Sequence, residues 1–243
     1  MKHFNWISIV VTGISFWLLV AMSSCSINTD PFYAEYIVEP FDTLFLHASF
    51  EVTLKQGDHF GIEVSGATEV TESITYQVND RTLLLDNKDG ALWKHPKLDP
   101  PTVIVTFKTL SKIHAEETCN IVSADTIHMD TLGLTLGSKL NQANLQLDCH
   151  LFYYWNTSPI GGQIILSGRA DYVRFYNGSL MAIRADQLKT HSATVANGSK
   201  SDIHVFTDQQ LFYSITGTGN IYLTGNPVDI QAGLITSTGK LIQ

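Results

Sequence analysis

Two stretches decide how this chain reads: Val173-Arg174-Phe175-Tyr176-Asn177-Gly178-Ser179 and, 20 residues further on, Ala193-Thr194-Val195-Ala196-Asn197-Gly198-Ser199. Each alternates side chains as a strand does and then closes on the same Asn-Gly-Ser corner. The hydroxyl residue of that corner recurs in both directions at Thr118, Ser138, Ser158, Ser179, Ser199, Thr218 and Thr238, at intervals of 20, 20, 21, 20, 19 and 20 residues. A fixed period of this length marks a solenoid, in which no repeat buries its own apolar face and neighbours must stack to make one elongated core. The expected fold is therefore all-β: a parallel β-solenoid with rungs of about 20 residues, capped by antiparallel N-terminal strands.

With the hydroxyl as origin, the position four before it is His114, Leu134, Tyr154, Phe175, Val195, Ser214 and Leu234, and the position six before it is Lys112, Leu132, Phe152, Val173, Ala193, Phe212 and Ala232. Both columns are mainly apolar, and residues two apart share a face of a strand, so both are expected to point inward. His114 then reads as a neutral core histidine. The intervening positions point outward and carry Tyr153 and Trp155, Arg174 and Tyr176, Thr194 and Ala196, and Tyr213 and Ile215.

Two residues before the origin stand Glu116, Leu136, Asn156, Asn177, Asn197, Thr216 and Thr236. The three consecutive asparagines resemble the amide ladders of parallel β-helices. Gly137, Gly178, Gly198 and Gly217 beside them would permit a positive backbone angle at the corner. Asn-Gly also suits ordinary hairpin turns; the periodicity favours the solenoid.

Upstream, one-sided apolar sets at Leu44 and Leu46, Val52 and Leu54, and Ile62 and Val64 predict strands, with Gln56-Gly57-Asp58 as a turn. A hairpin is expected around Asn79-Asp80, joining residues 74–78 to Leu83-Leu84-Leu85. Residues 87–101 read as a proline-bearing surface loop. The strand pattern resumes at Thr102, and the repeat begins near Leu110.

Residues 1–24 form a separate unit: Lys2, an uncharged run from Ile7 to Val20, then Ser23 and Ser24. This is the pattern of a secretory signal, too short to span a bilayer comfortably. Ala21-Met22-Ser23-Ser24-Cys25 resembles a loose bacterial lipobox, which makes Cys25 the expected lipid attachment site and residues 25–40 a tether. Several acyl chains together hold a protein firmly on a membrane. Ser26 supplies no acid after the cysteine, so the expected location is the outer membrane of a Gram-negative cell envelope. Residues 41–109 form the N-terminal β part and residues 110–243 the repeats.

The net charge is −8, and it becomes one unit more negative without Lys2. An acidic surface repels phosphate backbones and argues against nucleic-acid partners. Cys119 and Cys149 could form one disulfide in an oxidising compartment, but two buried thiols are the favoured reading.

Leu211 to Pro227, reading Leu-Phe-Tyr-Ser-Ile-Thr-Gly-Thr-Gly-Asn-Ile-Tyr-Leu-Thr-Gly-Asn-Pro, is similar to the C-terminal motif of the DUF2807 family, the head GIN domain. Ala196-Asn197-Gly198-Ser199 through Ile203, and Phe50 to Gly57, look like the same family. The resemblance covers residues 41–242 and departs at Glu116 to Asn120 and Asn156 to Gly162, where the family usually shows Gly-Ser-Gly turns. The family, also called the putative autotransporter adhesin head GIN domain, implies a secreted or lipid-anchored, β-solenoid-like domain.

No hydrolase elbow, phosphate loop, dinucleotide fingerprint or helical histidine pair occurs. Of the nine histidines, one lies in the leader and the rest show no ligand spacing, so neither a metal site nor a cofactor is expected. Asp125, Asp130, Asp148, Asp171, Asp186 and Asp202 read mostly as strand-end and turn residues. The outward aromatics are the candidate ligand surface: Tyr153, Trp155, Arg174, Tyr176 and Tyr213, facing a glycan or an envelope protein. A strand or loop of the same chain packing over that face is the competing reading.

Two other functional classes stay open. A carbohydrate-active enzyme of the lyase or hydrolase type would need acids clustered with a basic partner in one groove. A structural lipoprotein would bury the aromatic face. The end at Ile230 to Gln243 lacks an evident polar cap, which makes homo-oligomerisation an expectation. Asp42-Thr43-Leu44, Asp125-Thr126-Ile127 and Asp130-Thr131-Leu132 resemble the acceptor sequence of periplasmic O-glycosylation, with Thr43, Thr126 and Thr131 as candidate sites.

Overall fold

A computed structural model describes residues 31–88, 92–137, 140–156 and 161–243. The proposed signal and Cys25 lie outside these residues, as do the corner hydroxyls Ser138 and Ser158. In chain order, β1 (Pro31–Ile37), β2 (Thr43–Leu46), β3 (Glu51–Gln56) and β4 (Gly61–Ala67) lead through one helical turn, α1 (Thr68–Thr71), to β5 (Thr75–Asn79), β6 (Thr82–Asp86) and β7 (Thr102–Phe107). Then come β8 (Lys112–Ala115), β9 (Asn120–Ser123), β10 (Ile127–Leu136), β11 (Leu140–Asn156), β12 (Gly161–Asn177) and β13 (Leu180–Asn197). The last five are β14 (Ile203–Phe206), β15 (Gln210–Ile215), β16 (Ile221–Thr224), β17 (Asp229–Ile235) and β18 (Leu241–Ile242).

These strands wind into a β-solenoid of about six turns with rungs of roughly 20 residues, as the period requires. Each central rung contributes to three parallel stacks. The first face stacks β6, β2, β8 and the C-terminal parts of β10 to β13, then β15 and β17. The second stacks β7, β3, β9, the N-terminal parts of β11 to β13, then β14, β16 and β18. The third is built from the start of β10 and the middles of β11, β12 and β13. In β11 the alternation of buried and exposed residues changes phase at Leu151, where the strand turns from the third face to the first.

The antiparallel cap consists of β1 on β4, β4 on β7, and β5 on β6. The β5–β6 hairpin turns at Asp80 and Arg81, both at positive φ, where the sequence places it. The repeat does not start at residue 110, however. Strand β2 lies between β6 and β8, and β3 between β7 and β9, all parallel. The first rung in sequence is thus inserted behind the second, and residues 41–109 supply two solenoid rungs as well as cap strands. Residues 31–37 are likewise not tether but strand β1, which covers the free edge of β4.

The inward columns match the sequence reading in the middle of the stack and slip by one residue at its ends. Ile113, Leu134, Tyr154, Phe175, Val195 and Tyr213 align. His114 is therefore not a core residue: Ile113 takes the inward position and the His114 ring packs 4.9 Å from Phe45 on the outside. Likewise Leu211 is buried while Phe212 faces out. The shift arises because a corner can hold one residue more or fewer, and each such change moves every later side chain to the other face.

Asn156, Asn177 and Asn197 align and are buried, continuing an inward column that begins with Leu85, Leu46, Ala115 and Leu136. Their amides serve the corner backbone: Asn156 Nδ2 donates to the Leu136 carbonyl at 2.7 Å, Asn177 Nδ2 to Met181 at 2.7 Å, and Asn197 Oδ1 accepts from the Ser199 N–H at 3.1 Å. Buried polar groups are tolerable only when bonded in this way. The corner glycines do not use left-handed backbone; positive φ among glycines falls at Gly66, Gly162, Gly168 and Gly225. At Gly217 the reason is proximity, since a Cβ there would run into the Ser199 carbonyl of the preceding rung.

Cys119 and Cys149 are unpaired and buried, and burial pushes both thiols up to about 12, so they are inert at neutral pH.

Candidate functional site

The first face carries its aromatic side chains in two columns. Phe45, His114, Thr135, Trp155, Tyr176 and Ala196 align in one, and Lys112, Gly133, Tyr153, Arg174, Thr194 and Phe212 in the other. Parallel pairing of β11 with β12 brings four of the five expected residues together: Tyr153 opposite Arg174 and Trp155 opposite Tyr176. The Trp155 and Tyr176 rings stand 5.9 Å apart and remain 57% and 42% exposed, so no strand or loop among the described residues covers them. Tyr153 lies over Gly133, where any side chain would collide with its ring. The Arg174 guanidinium sits 4.8 Å from the centre of the Tyr172 ring, and Tyr172 Oη bonds Thr194 Oγ1 at 2.5 Å.

Tyr213, the fifth residue, is not part of this platform. It aligns with Val195 and packs against the core, and Phe212, 45% exposed, takes the outward place. Thr43 lies on β2, Thr126 in the turn before β10 and Thr131 on β10, each partly buried; the fold does not gather them.

The third face holds an arrangement that the sequence reading did not find. His128, Asp148, Arg169 and Lys189 align in one outward column. Asp130, His150, Asp171 and His191 form a second, set by the pairs on either side of them, and Asp208 follows His191. Between the columns runs a shallow groove of about 740 Å³, floored by Met129, Cys149, Ala170 and Thr190. A second hollow of about 500 Å³, lined by Tyr172, Thr194 and Phe212, adjoins the same histidine and aspartate side chains and leads round to the aromatic face.

Hydrogen bonds across rungs order these walls. His128 Nδ1 meets Asp148 at 3.0 Å, His150 Nδ1 meets Asp171 at 2.8 Å, and His191 Nδ1 meets Asp208 at 3.0 Å. Arg169 grips Asp148 from the other side, with Nη2 at 3.0 Å, and Lys189 Nζ sits 3.9 Å from the centre of the Phe206 ring. The Arg169 bond holds Asp148 below the ordinary carboxylate range, while their aspartate partners raise His150 and His191. Among the described residues, no group of three His, Cys, Asp or Glu side chains could hold a metal ion.

The aspartates of this face are mid-strand wall residues, not turn residues. Their signal was present in the sequence: Asp130, His150, Asp171 and His191 are spaced 20, 21 and 20 residues apart, as are His128, Asp148, Arg169 and Lys189. Ligand spacings of helices and fingers do not reveal such a set. The rung period itself does.

The pairing has a pH signature. A histidine raised by folding adds stability below its unfolded value of 6.5 and loses it as pH climbs through the higher folded value; Asp148, lowered by folding, loses its contribution as pH falls below 3.8. The contribution of His150 and His191 to the melting temperature should therefore fall from about pH 5.5 to about pH 8.5, opposed by His114, which burial lowers, and His150→Ala with His191→Ala should remove that falling part of the slope. An unchanged slope in the double variant would show that these pairs do not contribute. The change is small because the side chains are largely exposed.

A stack of short parallel strands with two decorated outer faces defines the class: an all-β solenoid domain. The chain belongs to the DUF2807 family, described as "Putative auto-transporter adhesin, head GIN domain", whose model matches residues 40–227. Its fold is similar to a crystal structure described as "a putative adhesin" from Bacteroides fragilis, with a TM-score of 0.78 at 17% identity, covering 87% of this chain and 96% of that one. Another from Parabacteroides distasonis, described in the same words, gives a TM-score of 0.62 at 17% identity over 89% of this chain and 98% of that one. A third from Parabacteroides merdae gives 0.60 at 15% identity with the same coverage. No curated protein matches the chain.

Proposed function

We propose that this protein is a non-catalytic, adhesin-like binding protein of the cell envelope, and that the outward aromatic face holds its ligand, a glycan. The observation that carries the reading is the pair of exposed, neighbouring rings Trp155 and Tyr176 beside Tyr153 and Arg174. Flat rings take the apolar faces of sugars, and the flanking hydroxyl and guanidinium groups meet sugar hydroxyls. Membership of an adhesin-type family supports the same reading. Lipidation at Cys25 would tether the domain to the outer membrane with the antiparallel cap nearest the bilayer, since β1 follows the tether directly.

The third-face groove favours one competitor, a carbohydrate-active enzyme, because it gathers acids with basic partners. Asp148, held ionised by Arg169, is not the proton donor such an enzyme would need.

The test is a glycan-array and polysaccharide screen of the soluble form beginning at Ser26, beside a Trp155→Ala, Tyr176→Ala double variant. The expected result is at least one glycan that binds the parent and is lost in the variant, with an unchanged melting temperature. No binding by the parent would reject a glycan ligand and direct attention to a protein partner.

A further inference from the structure

The groove of the third face lies outside the aromatic platform and has its own chemistry. Its two walls run along the solenoid axis over the four rungs of β10 to β13, about 14 Å between the outermost backbones. In the wall made by Asp130, His150, Asp171 and His191 the character of the side chain alternates at every rung, acid then base. A polymer carrying one sign of charge on each unit would meet a like charge on every second rung. A hydroxyl group has no such conflict: it donates to a carboxylate and accepts from an imidazole, guanidinium or ammonium N–H. The rung spacing is close to the length of one pyranose residue, so a linear sugar chain laid in the groove would present hydroxyls to each rung in turn.

The groove is also shaped for a backbone-hugging ligand. Its floor is the strand backbone at Met129, Cys149, Ala170 and Thr190, and the wall side chains above are ordered by their cross-rung bonds. Such preorganisation lowers the cost of ordering the site on binding.

We propose that this groove is a second binding site, independent of the aromatic face, for a neutral, hydroxyl-rich linear polysaccharide lying parallel to the solenoid axis. Asp171 is its central acceptor, flanked by His150 and His191 from the rungs on either side, and Arg169 and Lys189 donate from the opposite wall.

The experiment titrates the soluble protein with neutral linear hexasaccharides of four kinds, β-1,4-glucan, β-1,4-mannan, β-1,3-glucan and α-1,4-glucan, and with a β-1,4-linked uronate hexamer. Binding is read by calorimetry and by the histidine ring signals in NMR. At least one neutral chain should bind, shifting the His150 and His191 signals but not those of His114 and His204, which lie on the other two faces. Asp171→Asn with His150→Gln should weaken it by about tenfold or more, as the loss of one charge-assisted bond implies, while Trp155→Ala with Tyr176→Ala leaves it within about twofold. The wild-type ring signals report the site even if the groove variant folds poorly. Absence of binding by every neutral chain, tighter binding of the uronate, or loss only in the aromatic variant would each overturn the proposal.

Discussion

Replacing Gly168 by valine should prevent the protein from reaching a stable fold at 37 °C. Gly168 sits where β12 turns from the second face to the third, at a φ of +99°, and a Cβ there would collide with the Leu147 carbonyl of the preceding rung. A β-branched side chain cannot adopt this backbone without strain, and the colliding atom is ladder backbone that cannot move aside. The combined cost exceeds about 4 kcal/mol, a large part of the stability of an ordinary domain. Gly57→Ala is the control: its nearest neighbour is a Thr106 methyl at 3.1 Å, which a small side-chain adjustment relieves. Soluble yield and urea denaturation distinguish the two. Near-parental stability of the valine variant would mean that the corner at residue 168 is built differently.

The second large effect separates two adjacent residues. Phe175 is fully buried, stacked between Tyr154 and Val195 and edge-on to Phe152 at 6.3 Å, whereas Tyr176 is the exposed partner of Trp155. Phe175→Ala should cost about 3–5 kcal/mol, the transfer free energy of the ring plus the cavity it leaves. Tyr176→Ala should cost less than about 1 kcal/mol, since mostly area already in water is lost. Equilibrium denaturation of both variants reads the register directly: equal costs, or a reversed order, would mean that β12 is threaded one residue out of place.

That register was legible in the sequence wherever the corner is regular. From Leu134 to Val195 the apolar positions, the asparagine corner and the outward aromatics all fall where the repeated corner puts them, because the rungs there, 20, 21 and 20 residues long, each keep the same spacing between strand and corner. Where the corners change length, near His114 and again near Phe212 and Tyr213, the alternation continued but its phase was lost. A period-2 pattern carries no mark of which half faces in, and packing against the next rung decides it.

The candidate sites divide in the same way. Trp155 and Tyr176 could be paired from sequence because they stand out as aromatics in an outward column. The His–Asp walls could not be recognised by residue type, since each is an ordinary solvated charge until its partner from the neighbouring rung is placed beside it.

What the sequence by itself determined is the repeat, its length and the all-β class, because these follow from local side-chain alternation and turn chemistry repeated along one chain; the family came from the resemblance of residues 211–227 to its motif. Only the tertiary structure decided that β2 and β3 slip between later strands and that β1 closes the cap. Those outcomes depend on which backbone edges find one another in space, and residues far apart in sequence compete for the same edge on equal terms until the whole stack is formed.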